Sequence, residues 1–237
     1  MAKEKRLEVL YEDNHIIAVN KRRGDIVQGD KTGDTPLSDM VKAYIKEKYN
    51  KPGDVYLGLP HRLDRPVSGV VLFAKTSKAL TRLNLMFQQK DDQIRKVYWA
   101  IVSNCPRLEE EVLTHYLLKN EDRNKSNVFD KKKKNAKEAV LEYKLLTRSQ
   151  KYFLLEVKLH TGRHHQIRAQ LARIGCAIRG DLKYGYPRSN KGGGIDLHAR
   201  ELSFIHPVKQ EQITIKAPVP KNDNLWKELY HLVIGKS

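Results

Sequence analysis

Apolar and polar residues alternate along the chain with two different periods, which predict strands in some segments and helices in others. Residues 69–74 form a short apolar run bounded by polar residues, which predicts a buried strand. Residues 152–160 place Phe153, Leu155 and Val157 at every second position, as in a strand with one buried face. Further strands are predicted at residues 15–20, 94–102, 139–147 and 211–216.

Four other segments place apolar residues at helical spacing. They are residues 35–49, a segment capped by Thr76 or Ser77, a segment from about His165 to a terminating Gly175, and residues 223–233. The predicted strands outnumber these helices and do not alternate strictly with them. We therefore expect an α+β fold with a mixed, largely antiparallel sheet and helices on its faces.

Composition narrows the class of protein. Of the 237 residues, 40% are hydrophobic and 31% are charged, which predicts a globular protein with a sizeable core. No apolar run approaches the roughly 20 residues that a bilayer-spanning helix needs. Residues 1–14 carry too many charges for a signal peptide. The cysteines, Cys105 and Cys176, are far apart in sequence, which fits a reducing cytoplasm.

The net charge of +17 is distributed unevenly along the chain. Residues 121–180 carry 15 basic and 6 acidic residues. Such a concentration is typical of proteins that bind a polyanion, although many basic proteins bind none. Four consecutive lysines within it, at positions 131–134, lie between two predicted strands. We expect them to form an exposed loop that either contacts phosphates or is only a solvated tip.

The densest group of candidate catalytic residues comes shortly before the predicted strand at residues 69–74. It reads His61-Arg62-Leu63-Asp64-Arg65. A carboxylate between two arginines is stabilised in its ionised form and can act as a nucleophile or base, or it can be a structural ion pair. A kinase catalytic loop is excluded because Leu63 separates Asp64 from the His-Arg pair. A glycoside hydrolase would need a second acid near Asp64, and this segment offers none.

A second segment contains three histidines, His160, His164 and His165, which together suggest a zinc site. However, the turn at residues 161–163 prevents a continuous helix between them, and no nearby cysteine or carboxylate completes a ligand set. We therefore expect no metal. As a strand, a turn and a helix, the segment instead places Arg168 in the first turns of the helix, where it can bind a carboxylate or a phosphate.

Two adjacent aromatic residues, Tyr98 and Trp99, lie on the predicted strand at residues 94–102 and must point to opposite faces. One should join the core, and the other can face a cleft. An aromatic residue beside basic residues is a suitable platform for an unpaired base. Packing in the core explains either residue equally well.

Taken in order, these segments resemble the RluA-type pseudouridine synthases. The similarity rests on His61-Arg62-Leu63-Asp64-Arg65 with Ser68-Gly69, on Lys96-x-Tyr98-x-Ala100, on Gly162-Arg163-x-His165-Gln166-Ile167-Arg168, and on Gly180-Asp181-x-x-Tyr184, Leu197-His198-Ala199 and Phe204-x-His206-Pro207. The ordered set covers nearly the whole chain. The chain departs from the family at Arg22, where a proline is usual, and at His164, where Thr or Ser is usual.

The resemblance implies a fold and a reaction. The fold is a mixed sheet with helices on its faces and a central RNA-binding cleft. Residues 1–237 would form a single catalytic domain without the small N-terminal RNA-binding domain of many members. The reaction is the isomerisation of uridine to pseudouridine in RNA, without a cofactor or a metal. We expect ribosomal RNA rather than transfer RNA as the substrate of a monomeric, cytoplasmic enzyme with no membrane partner.

The resemblance also implies roles for individual residues. Asp64 is the catalytic aspartate, acting on the sugar or the ring or as a base. Arg168 pairs with Asp64, Tyr98 stacks on the flipped uracil, and Arg62 helps to fill the gap that the flipped nucleotide leaves. The further residues expected to contact RNA are Arg65, Lys96, Arg163, Lys131, Lys132, Lys133 and Lys134. A catalytically inactive RNA-binding protein is the alternative, disfavoured because Asp64, Tyr98 and Arg168 are all present.

Overall fold

The computed structural model describes residues 7–30, 32–88 and 93–235. The strands are β1 (Val9–Glu12), β2 (Ile16–Lys21), β3 (Ser68–Ala74), β4 (Ile94–Val102), β5 (Glu110–Asn120), β6 (Lys125–Phe129), β7 (Lys137–Arg148), β8 (Phe153–Leu159), β9 (Leu197–Ile205) and β10 (Gln212–Lys216). The helices are α1 (Leu37–Lys48), α2 (Ser77–Gln88), α3 (Gln166–Arg173) and α4 (Asn224–Ile234). The strands are mostly antiparallel, which confirms the predicted α+β class.

The predicted helices and six predicted strands are all present, with ends shifted by a few residues. Capping explains two of the helix starts: the Thr76 hydroxyl accepts a 3.2 Å hydrogen bond from the Ala79 amide, and the Asp223 carboxylate accepts one of 3.1 Å from the Leu225 amide. Strands β1, β5, β6 and β9 were not predicted. None of the helices in the described ranges has the length and apolar character needed to cross a bilayer.

The chain forms two compact units, which are described separately. Unit 1 comprises Met1–Ile94 and Glu201–Pro218. Its strand order is β1-β2-β3-β9, and β10 pairs with β9. Helix α2 buries Ala79, Leu83 and Met86 in a core cluster with residues of β2, β3, β9 and β10. All seven residues of β3 are buried, so the loop that precedes β3 is attached to a well-packed strand.

Unit 2 comprises Arg95–Arg200 and Val219–Ser237. Its strand order is β9-β4-β8-β7-β5-β6. Helix α4 buries Trp226 and Leu229 against Val97 and Trp99, which lie on one face of β4. Helix α3 packs through Ala169 in a cluster with residues of β5 and β7. Tracing side-chain alternation through the paired residues places α3 and α4 on opposite faces of this sheet.

Candidate active site

Asp64 lies in the loop that leads into β3 of unit 1. Apolar neighbours anchor the loop, because Leu63 and Val67 are 8% and 3% exposed, whereas Asp64 itself is only partly buried. The Val67 amide donates a 3.0 Å hydrogen bond to the Asp64 carbonyl oxygen, which closes a turn. His61 supports the other side of the loop by accepting a 2.9 Å hydrogen bond from the Leu72 amide at its Nε2.

Lys21, the last residue of β2, is buried beneath this loop. Its ammonium donates hydrogen bonds to the carbonyl oxygens of Val67 at 2.6 Å, Arg65 at 3.0 Å and Arg22 at 3.1 Å. Burial lowers the pKa of Lys21 to about 8, and the negative charges of Asp25 and Asp64 oppose that shift. Lys21 therefore fixes the backbone around Asp64 and supplies positive charge to its carboxylate. Sequence reasoning missed this role, although Lys21 was visible as a charged residue ending an apolar strand.

The two arginines beside Asp64 in sequence are exposed. The Arg65 guanidinium binds the carboxylate of Asp34 and donates a 3.3 Å hydrogen bond to the Thr32 hydroxyl. Arg62 makes no hydrogen bond or ion pair with residues in the described ranges. Its guanidinium is thus available to a ligand, whereas that of Arg65 is held by unit 1 itself.

Tyr98 lies in the middle of β4 in unit 2. It pairs with Val157 of β8, and its side chain lies on the face that also carries Lys96. Trp99 points to the opposite face, where it packs in the core with Trp226 of α4 and is 7% exposed. The structure thus decides between the two aromatic residues: Trp99 belongs to the core, and Tyr98 is the partly buried candidate for contact with a base.

Arg168 lies in the first turns of α3, as predicted, and is 5% exposed. Its Nε and Nη2 atoms donate hydrogen bonds of 2.7 and 2.9 Å to the two carboxylate oxygens of Asp181, which is 1% exposed. The guanidinium also lies 5.2 Å from the centre of the Tyr184 ring. Asp181 and Tyr184 therefore hold Arg168 in a fixed orientation. Sequence reasoning noted their motif but missed this function. The pairing of Arg168 with Asp64 stays a prediction.

The turn that opens α3 is held by Gln166. Its side-chain oxygen accepts hydrogen bonds from the Thr161 hydroxyl at 2.8 Å and the Arg163 amide at 2.9 Å. Its side-chain nitrogen donates a 3.1 Å bond to the Val140 carbonyl oxygen of β7. The Arg163 Nε donates a 2.8 Å bond to the Glu138 carbonyl oxygen. These bonds make residues 161–166 a rigid junction between β8 and α3.

The three histidines have separate surroundings. His160 lies 3.9 Å from the Glu142 carboxylate, whereas the rings of His164 and His165 stack at 3.8 Å. The Nδ1 of His165 lies 3.1 Å from the hydroxyl of Tyr184. Burial, followed by the positive charge of Arg168, lowers the pKa of His165 to about 2, so this ring is neutral. Within the described ranges, no group of three or more potential ligand residues is arranged to hold a metal ion.

The four lysines at positions 131–134 lie in the exposed connection between β6 and β7, as predicted. The Lys133 ammonium lies 4.4 Å from the centre of the Phe129 ring. At the start of the connection, Asp130 binds the Arg173 guanidinium of α3. The ion pair of Asp130 therefore holds the start of the connection against unit 2. Residues 131–134, which we call the lysine tip, present a cluster of positive charge to solvent.

Comparisons with known proteins agree on one family. The family model described as RNA pseudouridylate synthase matches residues 15–173. The tRNA pseudouridine synthase C of Vibrio parahaemolyticus is 32% identical over 242 residues, which is 94% of each chain. The ribosomal large subunit pseudouridine synthase D of Xylella fastidiosa is 33% identical over 91% of this chain and 67% of that protein.

Two solved structures share the fold. Human RNA pseudouridylate synthase domain containing 4 has a TM-score of 0.77 and 23% identity, over 96% of this chain and 93% of that chain. Human RNA pseudouridylate synthase domain containing 1 has a TM-score of 0.73 and 19% identity, over 97% and 95% of the two chains. At these identities the likeness concerns the architecture alone.

Proposed function

The chain belongs to the RNA pseudouridylate synthase family, whose members are isomerases, and on that premise we propose that Asp64 is the carboxylate with which it converts uridine to pseudouridine in structured RNA. The bond between C1′ of the ribose and N1 of the uracil breaks, the base turns, and a bond forms between C1′ and C5. The proton on C5 is lost and N1 gains a proton, so the composition of the RNA is unchanged.

The observation that carries this proposal is the construction of the loop around Asp64. The Lys21 ammonium donates hydrogen bonds to three backbone carbonyl oxygens around the loop. The buried side chains of Leu63 and Val67 anchor the loop as well. A carboxylate on a preorganised loop can attack or accept a proton without paying for reorganisation at the moment of reaction. Asp64 acts either as the nucleophile or as the base, and both roles need its anionic oxygen.

The remaining roles follow the family resemblance. Tyr98 stacks on the extruded uracil, which is supported by its partial burial on the face of β4 opposite the Trp99 core. Arg62 helps to fill the gap in the RNA, for which its exposed guanidinium is suited. Arg168, fixed by Asp181, pairs with the carboxylate of Asp64. Arg65, Arg163 and the lysine tip contribute to the surface that follows the phosphates.

Two classes of RNA are candidate substrates. Ribosomal RNA is the expectation from the sequence, and a ribosomal synthase is among the relatives. Transfer RNA is the second candidate, because the tRNA pseudouridine synthase C relative matches end to end, over 94% of each chain. A cytoplasmic enzyme would meet both classes of RNA.

The test is to map pseudouridine in the ribosomal and transfer RNA of cells that lack this protein. We expect one or a few uridines to lose the modification and to regain it when the wild-type gene is restored, but not when Asp64→Asn is restored. Unchanged maps in both RNA classes, together with no pseudouridine when the purified protein is incubated with either RNA, would contradict the proposal. Release of free uracil from the RNA would instead indicate hydrolysis.

A further inference from the structure

Lys96 of β4 is a cation without a partner in the part of the chain that the structure describes. It is partly buried, and it forms no salt bridge or hydrogen bond there. Burial lowers its pKa. The contrast with Lys21 is informative, since that lysine is also buried but has three carbonyl acceptors.

An ammonium that is partly removed from water loses some hydration, which is unfavourable unless an acceptor replaces the lost water. Long lysine side chains usually avoid this cost by extending their charged end into solvent. In unit 2, Lys158 avoids it by binding Glu142 at 2.8 Å. Lys96 has no such partner in the described ranges and its side chain is only partly exposed, so an anion that reached its ammonium would stabilise it.

The space beside this ammonium is bounded by Gly162. A methyl group in place of the glycine's hydrogen would lie 3.9 Å from the Lys96 Nζ and within 4 Å of no other group outside its neighbours in the chain. The φ angle of Gly162 lies outside the left-handed region, so its backbone conformation does not require glycine. Absence of a side chain at this position instead leaves the approach to the ammonium open.

The surroundings are rigid on both sides. Lys96 lies on a strand, where it pairs with Leu159 of β8, and Gly162 lies in the turn that Gln166 holds. Tyr98 follows on the same face of β4, about 6.7 Å further along the strand. This spacing is comparable to one nucleotide of an extended RNA chain, so a base on Tyr98 would place a neighbouring phosphate within reach of Lys96.

We propose that Lys96 and the open backbone of Gly162 form a binding site for one phosphate of the RNA backbone, next to the nucleotide whose base stacks on Tyr98. This inference rests on the proposed function. It adds a defined contact to the general attraction between a chain of net charge +17 and RNA. Lys96 is then a positioning residue, because it holds the backbone from which the uridine is extruded.

The experiment measures binding of poly(U) to the purified protein over a range of NaCl concentrations. Lys96→Met should weaken binding about tenfold, the size expected for one lost charge-assisted hydrogen bond. It should also reduce the slope of log affinity against log salt by about 0.7, the value for one contact with a single strand. Lys227→Met, at an exposed lysine of α4 on the other face of the sheet, is the matched control and should leave both values unchanged.

Two further variants separate contact from structure. Gly162→Ala keeps every charge but places a methyl group 3.9 Å from the ammonium, in the path of the phosphate, so it should weaken poly(U) binding and change the salt slope less than Lys96→Met does. Lys96→Arg should retain most of the slope. The unfolding temperature of Lys96→Met should equal or exceed that of the wild type, since the substitution removes a partly buried charge that has no ion pair in the described ranges. A lower unfolding temperature would show that Lys96 already has a structural partner and would overturn the proposal.

If Lys96→Met binds poly(U) with the wild-type affinity and the wild-type salt dependence, the proposed phosphate site is contradicted as well. Inorganic phosphate at millimolar concentration should compete only weakly, because a single phosphate lacks the stacked base; competition equal to that of poly(U) would point to a free-anion site instead. These readouts do not depend on catalysis. If the wild type forms no pseudouridine but Lys96→Met still reduces the slope of log affinity against log salt, the proposed function is contradicted and the phosphate site is supported.

Discussion

The ammonium of Lys21 donates a 2.6 Å hydrogen bond to the carbonyl oxygen of Val67, three residues after Asp64. Lys21 is 1% exposed, so water cannot replace the donor. Lys21 holds the loop through its backbone, in addition to the contacts that the loop makes through the side chains of His61, Leu63 and Val67. A residue outside the Asp64 loop thus contributes to the geometry of that loop.

Replacing Lys21 with Met should therefore damage both stability and activity. The substitution removes a buried charge, which is favourable, but it strands three carbonyl oxygens, each of which costs about 1–3 kcal/mol if it stays unsatisfied. We expect a net loss of about 2–4 kcal/mol in the free energy of unfolding in urea, and pseudouridine formation at least ten times slower. Lys51→Met, at an exposed lysine of unit 1, is the control. Full activity in Lys21→Met would show that the loop keeps its shape unaided.

The buried pair of Arg168 and Asp181 predicts strong coupling between the two residues. Asp181→Asn removes the carboxylate that binds a guanidinium that is 5% exposed, and breaking such a pair costs about 3–5 kcal/mol. Arg168→Met should cost a similar amount, whereas the double variant should cost clearly less than the sum. Urea unfolding of the four proteins gives the coupling energy. Additive losses would mean that the two side chains stabilise the fold independently.

The contacts of Glu12 predict how the stability of unit 1 changes at acid pH. Burial of its carboxylate disfavours ionisation, but hydrogen bonds from Lys48, Lys75, Tyr49 and Tyr44 outweigh that effect and lower the pKa of Glu12 to about 2. The folded-state pKa is below the unfolded value, so this group's contribution to stability is complete above about pH 4.5 and is lost as pH falls towards 2. Glu12→Gln should be less stable at pH 7 and should show a flatter decline between pH 4.5 and 2. Parallel pH profiles for the two proteins would contradict this assignment.

Two substitutions of Tyr98 test its proposed roles in base stacking and in proton transfer separately. Tyr98→Ala should weaken engagement of the target base by roughly 1–3 kcal/mol, because the stacking surface is lost, whereas Tyr98→Phe should retain RNA binding. If Phe supports binding but not turnover, the hydroxyl takes part in moving the proton on C5. Wild-type turnover in both variants would mean that Tyr98 does not contact the base. Pseudouridine formation and RNA binding are measured on the same preparations.

The sequence predicts the elements that bury a regular apolar pattern. Strand β3 is buried at every position and α4 begins at an Asp cap, so local signals suffice for both. Strand β5 escapes prediction because only Leu113, His115 and Leu117 of its eleven residues are buried. Its apolar residues, Val112, Leu113, Tyr116, Leu117 and Leu118, do not alternate regularly with polar residues, so the pattern does not indicate a strand.

The parts of the candidate site that the sequence did not predict depend on contacts between distant residues. The carbonyl acceptors of Lys21 include Arg65 and Val67, which lie 44 and 46 residues later in the chain. No local period encodes such a pairing. Alternation correctly placed Tyr98 and Trp99 on opposite faces, but only the position of Trp226 in α4 shows that Trp99 packs in a core cluster. The residues that carry the family resemblance are recognised from their order in the sequence, whereas the contacts that hold them are visible only in the structure.

The most direct test of the account is pseudouridine formation by Asp64→Asn. Asn keeps the size and nearly the shape of the side chain, but it lacks the anionic oxygen that both candidate mechanisms require. We expect no detectable pseudouridine, an unchanged unfolding temperature and RNA affinity equal to or slightly above that of the wild type, since a negative charge is removed. Asp54→Asn, at an exposed aspartate of unit 1, should retain full activity. Pseudouridine formed by Asp64→Asn at a rate near that of the wild type would contradict the central claim.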